Sequence, residues 1–526
     1  MINFALAFIP VVLMAVAAGQ AWRSQAAVPG LWSAFNRLTL LALGFSALGL
    51  VSQLWLATPG QMPASGLVLW LSVSTFGAWT SLLVQLLGAA IGFYSSNHLR
   101  GEPRQAAYIA ALAAVLTAVH LLLLANHWVV LIAAWAAIGH AMHGLLCFYR
   151  DRPFALLAAH KKFVTDRAAD ALLILAAYLS WSEVGSGSLA VLNEHIAAGQ
   201  FSATLGWSAI CLVLAVIART ALMPVHGWLV QVMEAPTPVS ALLHAGVVNL
   251  GGYVLVLFAP LLGVSLAARW LLVIFGLVSA MVAGLVLLTR VSQKVHLAWS
   301  TIAQMGFMLL ECGLGLYLFA ALHLLGHSLY KAHNFLNASS IVRDCDRKVM
   351  TGEARNSGLS MILAVPVSFA IVFGLQALMG AHAWPWWWSA VLAFAWAPLL
   401  WLPASPADYP AKVPVRLLTA VLMAGFLTLA AGVVDRTPVG VANDPLHAGG
   451  IVALVGMAIM YFWMIIFQLW PQSVIAIRRW VYAGFYMDEG YTHWVLRFWP
   501  VRWAGAGRGP APRPAPPSSV WRSAKS

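Results

Sequence analysis

Charged side chains are scarce in this 526-residue sequence. Asp, Glu, Lys and Arg make up 9% of the residues, against about 25% in a soluble globular domain, whereas hydrophobic residues make up 62%. So few charges cannot cover a water-soluble core of this size, which excludes a secreted disulfide scaffold, a coiled coil and a nucleic-acid-binding module. We therefore predict an all-α polytopic membrane protein, because apolar runs of about 20 residues can cross a bilayer as helices.

Cysteines and the motifs of covalent chemistry are also few. The four cysteines, Cys147, Cys211, Cys312 and Cys345, stand far apart and form no CxxC pair, so the sequence indicates neither a disulfide framework nor a zinc site. It contains no P-loop, no GxSxG, no haem-binding CxxCH and no GxGxxG after a strand. We expect no enzyme activity, no cofactor and no metal in this chain.

Fifteen apolar segments are candidates to cross the bilayer. They lie near residues 3–19, 38–57, 66–94, 106–124, 127–149, 167–183, 206–233, 236–260, 265–289, 295–313, 317–341, 358–379, 386–402, 414–434 and 448–470. The sequence thus predicts about 14–15 transmembrane helices. It also predicts three regions: a transmembrane transporter domain at 1–475, a cytoplasmic or interfacial segment at 476–504 and a disordered tail at 505–526.

Positive charge alternates from loop to loop. Lys and Arg follow the odd-numbered segments, as Arg100 and Arg104 follow the third, whereas the loops after even-numbered segments contain only Arg269 and Arg436, near their edges. Cytoplasmic loops carry such an excess of positive charge. The pattern predicts an N-terminus outside and a C-terminus in the cytoplasm. The same pattern explains the formal net charge of +13. We therefore expect this chain to contact membrane lipids and not nucleic acid.

One apolar segment carries a stripe of ionisable residues. His323, His327 and Lys331 are four residues apart, so they share one helical face over roughly 12 Å of rise. Imidazoles titrate near neutral pH, and such a stripe can pass protons. The alternatives are a face of satisfied polar packing or a metal site. No carboxylate or thiol completes a metal shell on this face, which disfavours a metal.

A second cluster surrounds a proline in the seventh segment. Pro224 removes a backbone donor and should break the helix, with Arg219 about one turn before the break, His226 just after it and His244 in the next segment. Broken helices within a membrane are packed in protein or line a watery cavity. The alternative is an ordinary proline kink. Asp170 is a candidate counter-ion for Arg219, or else an interfacial carboxylate at a helix start.

Four further residues are weaker candidates for a cation pathway. Lys294 lies at a segment boundary, where snorkelling to the interface is the alternative. His140 and His143 share a face at i and i+3, which suits a proton site or a hydrogen-bonded packing pair. Glu311, within the tenth segment, is a candidate buried carboxylate, for which a functional role and plain polar packing are again the alternatives.

Long ordered motifs resemble a known superfamily. The strings VSQKVHLAWSTIAQMGFMLLECGLGLYLFAALHLLGHSLYKAHNFL, ARTALMPVHGWLVQVMEAPTPVSALLHAG and WAAIGHAMHGLLCFY resemble the proton-conducting antiporter-like subunits of respiratory complex I and of Mrp antiporters. The string GFYMDEGYTHWVL resembles that family's motif after its late spans. The resemblance covers about residues 125–345 and implies an antiporter-like fold that conducts protons or Na+.

Within this superfamily, CGLGLYLFAALHL followed by HSLYKAHNFL is most similar to the DabB-type membrane subunits of inorganic-carbon pumps. This resemblance implies a bacterial inner-membrane protein in a complex with a cytoplasmic DabA-like zinc protein. Cation flow through the chain would then drive one-way hydration of CO2 to bicarbonate by that partner, and zinc would belong to the partner. The loops at 150–167 and 343–356 are candidate docking sites, although plain positive-inside charge explains them equally well.

Three departures from the superfamily pattern indicate a specialised relative. Trp135 is followed by Ala136 where family members have Glu, and Arg219 replaces a Lys that precedes the helix break. Arginine stays protonated in proteins, so it would act as a fixed charge. The segment at 358–379 contains Pro366 but no Lys. Two other functions stay open: a proton-translocating subunit of a complex I-like or Mrp-type assembly, and a membrane anchor that does not conduct.

Overall fold

The computed structural model describes residues 2–23, 28–56, 69–338, 356–380, 384–404, 413–435 and 439–501. In these ranges the chain forms helices and three isolated β-bridges, without a strand. All fifteen predicted segments contain helix. The first fifteen helices are α1 (Ile2–Arg23), α2 (Val28–Leu56), α3 (Thr75–His98), α4 (Gln105–Leu123), α5 (Trp128–Leu146), α6 (Pro153–Val184), α7 (Leu189–Ala197), α8 (Ala203–Arg219), α9 (Gly227–Gln231), α10 (Thr237–Ala245), α11 (Leu250–Leu257), α12 (Ala259–Val264), α13 (Leu266–Leu287), α14 (Gln293–Gly313) and α15 (Tyr317–Leu336).

Six further α-helices lie in the described residues of the last third of the chain. They are α16 (Gly358–Leu378), α17 (Trp386–Trp396), α18 (Val413–Asp435), α19 (His447–Leu469), α20 (Ile475–Tyr482) and α21 (Met487–Phe498). In the described part of the chain, 10 helical segments are long and apolar enough to cross a membrane, and Thr237–Leu257, which combines α10 and α11, is one of them. The prediction of an all-α polytopic membrane protein is confirmed. The predicted tail at 505–526 lies outside the described residues.

Helix α6 begins earlier than the sequence predicted. Pro153 occupies its first turn, where backbone N–H groups have no partner within the helix, so the missing N–H of proline costs no hydrogen bond. The helix is 32 residues long. Lys161 and Lys162 are therefore buried helix residues, and the expectation of a basic loop at 150–167 is wrong. The other candidate docking loop, 343–356, lies outside the described residues except for its last residue.

The predicted break in the seventh segment is present. Helix α8 ends at Arg219, and residues 220–226, which include Pro224, separate it from α9. Ala221 has a φ of +55°, a left-handed conformation that residues with a Cβ atom rarely adopt. The chain therefore leaves the helix within the first residues after Arg219, ahead of the proline itself.

A second interruption was not predicted. The eighth segment is divided between α10 and α11 by a short 3-10 turn at Val247–Asn249. Asn249 stabilises this turn, because its side-chain amide donates to Ala245 O at 2.8 Å and to Ser328 Oγ of α15 at 2.7 Å. The mean hydropathy of Thr237–Leu257 stays high despite His244 and Asn249, so hydropathy gave no signal of the turn.

Helices α13 and α14 pack backbone against backbone. A Cβ atom on Gly306 would lie 2.7 Å from Gly276 O and 2.7 Å from Ala280 N, closer than real Cβ atoms approach. Small residues allow such close approach between membrane helices, where packing replaces the hydrophobic driving force. This contact fixes the position of α14, which carries several of the polar residues described below.

Gly306→Ala should therefore destabilise the folded protein. The added methyl group has backbone on both sides and nowhere to move, and overpacking of this kind costs about 1–3 kcal/mol. We expect a lower melting temperature of the purified protein in detergent. Gly326→Ala on α15 is the matched control, because a Cβ atom there meets nothing within 4 Å. Equal melting temperatures of the two variants would contradict the close packing of α13 and α14.

Candidate cation-transfer site

A buried ion pair joins α6 to the end of α8. Arg219 donates from Nη2 to the Asp170 carboxylate and from Nη1 to Trp135 O at 2.9 Å, and its guanidinium lies 4.9 Å from the centroid of the Trp135 ring. Asp170 also pairs with Arg167 of its own helix at 2.6 Å. The counter-ion predicted for Arg219 is thus in contact with it. The part that the pair plays in cation transfer stays a prediction.

A second buried pair lies one turn earlier on α6. Lys162 Nζ is 2.5 Å from Asp166 Oδ2, and both side chains are almost fully buried. A Cβ atom on Gly139 of α5 would lie 2.7 Å from the same Asp166 oxygen and 3.9 Å from Arg219 Nη1. The absence of a side chain on Gly139 therefore gives the carboxylate its space beside Arg219. This pair was not predicted, although the i, i+4 spacing of Lys162 and Asp166 can be read from the sequence.

The carboxylate that pairs with Arg219 comes from α6 rather than from α5. The resemblance placed a Glu after the Trp of the fifth segment, where this chain has Ala136. In the structure Asp170 of α6 pairs with Arg219, while Asp166, one turn earlier on the same helix, pairs with Lys162. The basic group at the end of α8 thus faces an acidic group of α6.

The C-terminal segment packs against the same helix. Lys161 Nζ pairs with the Asp488 carboxylate and donates to Thr492 Oγ1 at 2.8 Å, while Gln231 Nε2 of α9 donates to Asp488 Oδ2 at 2.9 Å. Asp488 also abuts Gly227 so closely that no Cβ atom would fit there. The GFYMDEGYTHWVL motif therefore ties α6 to the segment that follows the helix break. The motif is recognisable in the sequence, but its pairing with Lys161 is not, because the two are more than 300 residues apart.

The segment after the break lies between α6 and α14. The ring of His226 is 5.0 Å from that of Trp299 on α14, centroid to centroid. The ring centroid of Trp228 lies 5.2 Å from Lys162 Nζ. His226 and Trp228 are both buried. The break thus places these two side chains in contact with the charged cluster of α6 on one side and with α14 on the other.

Lys331 is buried on α15 without an acidic partner. Its ammonium donates to Leu297 O at 3.0 Å and to Ser300 Oγ at 2.8 Å, both on α14. No Asp or Glu of the described residues forms an ion pair with it. A charged group deep in the hydrocarbon costs about 2.5–3.5 kcal/mol on insertion scales. Lys331 is therefore held by neutral acceptors alone.

A hydrogen-bonded connection links Lys331 to His244 of α10. Thr301 Oγ1 donates to Leu297 O at 3.0 Å, the same carbonyl that accepts from Lys331. His244 Nδ1 lies 3.0 Å from Thr301 Oγ1. Because the Thr301 proton is directed to Leu297, Nδ1 of neutral His244 is the donor and Nε2 is its free acceptor. The His244 ring also stacks on Phe335 of α15, with centroids 4.6 Å apart.

The two histidines of α15 continue this row of polar groups. The ring centroids of His323 and His327 are 5.9 Å apart, and His323 Nδ1 lies 2.9 Å from Glu311 Oε2 of α14. His327 is buried, and neither of its ring nitrogens has a hydrogen-bond partner among the described residues. The predicted stripe is therefore a single face directed at α14, and Glu311 lies at its end.

Lys294 and His140 stand apart from these contacts, whereas His143 lies against α6, with its ring centroid 6.0 Å from that of Phe163. Lys294, at the start of α14, is half-buried and donates to Thr237 Oγ1 at 3.1 Å. His143 lies 3.6 Å from Cys147 Sγ through Nε2, while His140 is exposed. The structure thus does not bring His140 to the buried cluster. The described residues contain no group of three or more His, Cys, Asp or Glu side chains placed to hold a metal ion.

Comparison with known proteins assigns the family. Residues 125–398 match the model of the transmembrane family of NADH:quinone oxidoreductases and Mrp antiporters. A probable inorganic carbon transporter subunit DabB of Hydrogenovibrio crunogenus is 37% identical over 82% of this chain and 86% of its own length. Subunit DabB2 of Halothiobacillus neapolitanus, likewise described as probable, is 34% identical over 91% and 89%.

The fold has a counterpart among solved structures. The Mrp complex from Dietzia contains a chain that aligns with a TM-score of 0.59 at 20% identity, covering 93% of this chain and 59% of that one. At this identity the likeness concerns the fold alone. Fold and site together define a membrane subunit of the antiporter-like class. The chain belongs to the NADH:quinone oxidoreductase/Mrp antiporter family and, within it, to the DabB subunits, so the resemblance found in the motifs is confirmed.

Arg219→Gln should destabilise the protein far more than Arg167→Gln. Both arginines contact Asp170, but the Arg219 side chain is 4% exposed and that of Arg167 is 46% exposed. Removing one partner of a buried pair leaves an uncompensated charge and costs about 3–5 kcal/mol. Loss of an exposed pair costs at most about 1 kcal/mol. Melting temperatures in detergent measure the difference, and equal losses would contradict a buried Arg219–Asp170 pair.

Proposed function

We propose that this chain is the cation-conducting membrane subunit of an energy-coupled inorganic-carbon pump. Its partner is a cytoplasmic DabA-like zinc protein, which hydrates CO2 and releases bicarbonate in the cytoplasm. The complex lies in a bacterial inner membrane, with the N-terminus of this chain outside and the C-terminus inside. The similarity to DabB subunits along most of the chain supports the carbon-pump assignment.

The observation that carries cation conduction is the polar row on α14 and α15. The row extends along α14 from Leu297, which accepts from Lys331, to Glu311, a distance of 14 residues and a rise of roughly 21 Å, about two thirds of the hydrocarbon thickness. Between these ends, α15 contributes His323, His327 and Lys331. Intramembrane ionisable groups are expensive and mark ion pathways. A row of this length in one pair of helices suits transfer of protons across the membrane, although Na+ is the alternative cation.

Lys331 is the centre of the proposed mechanism. With only a carbonyl and a hydroxyl as partners, its ammonium is not fixed by a carboxylate, so loss of its proton leaves no buried anion behind. Neutral His244 offers Nε2 as an acceptor near the same helix. Protonated and neutral forms of the row would favour different conformations of the chain, and the partner would bind these two conformations with different affinities.

The charged cluster of α6 and α8 has a different part in this mechanism. Arg219 stays protonated and acts as a fixed charge, which Asp170 neutralises, while Asp166 neutralises Lys162. Lys161 connects the cluster to Asp488, and thereby to the C-terminal segment on the proposed cytoplasmic side. A shift of the segment after the helix break, next to His226, would therefore reach the surface where the partner binds.

Lys331→Ala should abolish carbon accumulation. We would express the chain with its partner in carbonic-anhydrase-deficient cells and measure bicarbonate accumulation with and without an uncoupler. Accumulation in the wild type that the uncoupler and Lys331→Ala both remove is the expected result. Asn334→Ala is the control on the same helix, since among the described residues this side-chain amide bonds to Tyr330 O of its own helix and to no member of the row.

The same experiment separates the other functions. Accumulation that survives both the uncoupler and Lys331→Ala would reduce the chain to an anchor for the cytoplasmic enzyme. No accumulation in the wild type, with a folded complex, would favour a respiratory or antiporter assembly. The amount of folded complex in each variant is measured by size-exclusion chromatography of detergent extracts.

A further inference from the structure

Glu311 and His323 form a buried acid–base pair at one end of the polar row. The Glu311 carboxylate is 5% exposed and the His323 side chain 13% exposed, and His323 Nδ1 lies 2.9 Å from Glu311 Oε2. The pair joins the last turns of α14 to the first turns of α15. It is thus at the opposite end of α14 from Lys294.

Aromatic side chains pack beside this pair. The ring of Phe307 lies 6.0 Å from His323 and 5.7 Å from Trp388 of α17, centroid to centroid. Phe319 of α15 lies 5.4 Å from Trp388. Buried polar groups need hydrogen-bond partners to offset the cost of burial. The His323 ring is such a partner for the Glu311 carboxylate.

The pair is directed at an unpartnered histidine. His323 contacts Glu311 through Nδ1, which leaves Nε2 as the nitrogen available on the other side of the ring. His327, one turn further along α15, is buried and has both ring nitrogens without a hydrogen-bond partner among the described residues. Lys331 follows after another turn. A proton on His323 thus has the next acceptor of the row beside it.

We propose that Glu311 and His323 are the site where the row takes up a proton from the outer side of the membrane. This inference rests on the function proposed above, which places the start of α14 at the cytoplasm and therefore Glu311 in the outer half. A proton from the outer side binds His323 Nε2, and Glu311 stabilises the imidazolium through Nδ1–H. The proton then passes to His327 and Lys331, and His323 returns to the neutral form.

The test compares two variants of one carboxylate. Glu311→Gln keeps the size of the side chain but removes its charge, so the imidazolium loses its stabilising partner. We expect uncoupler-sensitive bicarbonate accumulation to fall roughly tenfold or more, since positioned proton-transfer groups contribute at least that much. Glu311→Asp keeps the carboxylate and should retain a large share of the wild-type rate. A purely structural role predicts that both variants lose folded complex and activity together, and this outcome would overturn the proposal.

A pair of histidine variants provides a second comparison. His323→Gln should lose accumulation as Glu311→Gln does. His120→Gln is the matched control, because His120 is buried and hydrogen-bonded to Gln85 and Ser81 but lies on α4, outside the row. If Glu311→Gln fails to fold, Glu311→Asp and His323→Gln decide the question. Wild-type rates in both Glu311→Gln and His323→Gln, with Lys331→Ala inactive, would overturn this proposal and leave the proposed function standing.

Discussion

The burial of a positive charge without a negative partner is the constraint on which the account depends. Elsewhere in the described residues the buried cations are paired: Lys161 with Asp488, Lys162 with Asp166, Arg219 with Asp170 and Arg269 with Asp444. Lys331 is the exception among these five, since it is held by a backbone carbonyl and a hydroxyl. The protonated form of such a group is only weakly stabilised, because a neutral acceptor stabilises an ammonium group far less than a carboxylate does. Around it the structure places His244 and His327, whose ring nitrogens are not fully partnered.

The molecule thus separates fixed charges from exchangeable ones. The cluster of α6 and α8 contains a permanently charged guanidinium with acidic partners, and it joins the break after α8 to the C-terminal segment. The row of α14 and α15 contains imidazoles and an amine, which can gain and lose protons. Trp228 and Trp299, on either side of His226, lie between the two groups. Protonation of the row and movement of the cluster would be coupled through this segment.

Much of the fold followed from hydropathy. Each apolar run gave a helix, and Pro224 correctly indicated a break, because chain length and backbone hydrogen bonding leave a membrane segment few other choices. The turn at Val247–Asn249 escaped prediction, since a single Asn249 amide in contact with a distant Ser328 replaces the missing helical bonds. The early start of α6 escaped prediction too, because Lys161 and Lys162 lower the hydropathy of this helix, although Asp488 and Asp166 neutralise their charges.

Part of the candidate site was predictable from spacing along one helix, as the stripe of His323, His327 and Lys331 was, although the Lys162–Asp166 pair on α6 was missed. Asp170 was correctly matched to Arg219 of another helix. Pairs that depend on tertiary structure, such as Lys161 with Asp488 or His323 with Glu311, carry no local signal. Gly139 illustrates the difficulty, since its importance lies in the space that it leaves for Asp166.

The most direct measurement of the central claim is bicarbonate accumulation by Lys331→Arg, expressed with the partner in carbonic-anhydrase-deficient cells. Arginine keeps the positive charge and the hydrogen-bond donors but does not release its proton in proteins. If Lys331 acts by changing its protonation, the folded Lys331→Arg complex will show no uncoupler-sensitive accumulation. Accumulation at the wild-type rate would contradict the account, because a fixed positive charge would then suffice at this position.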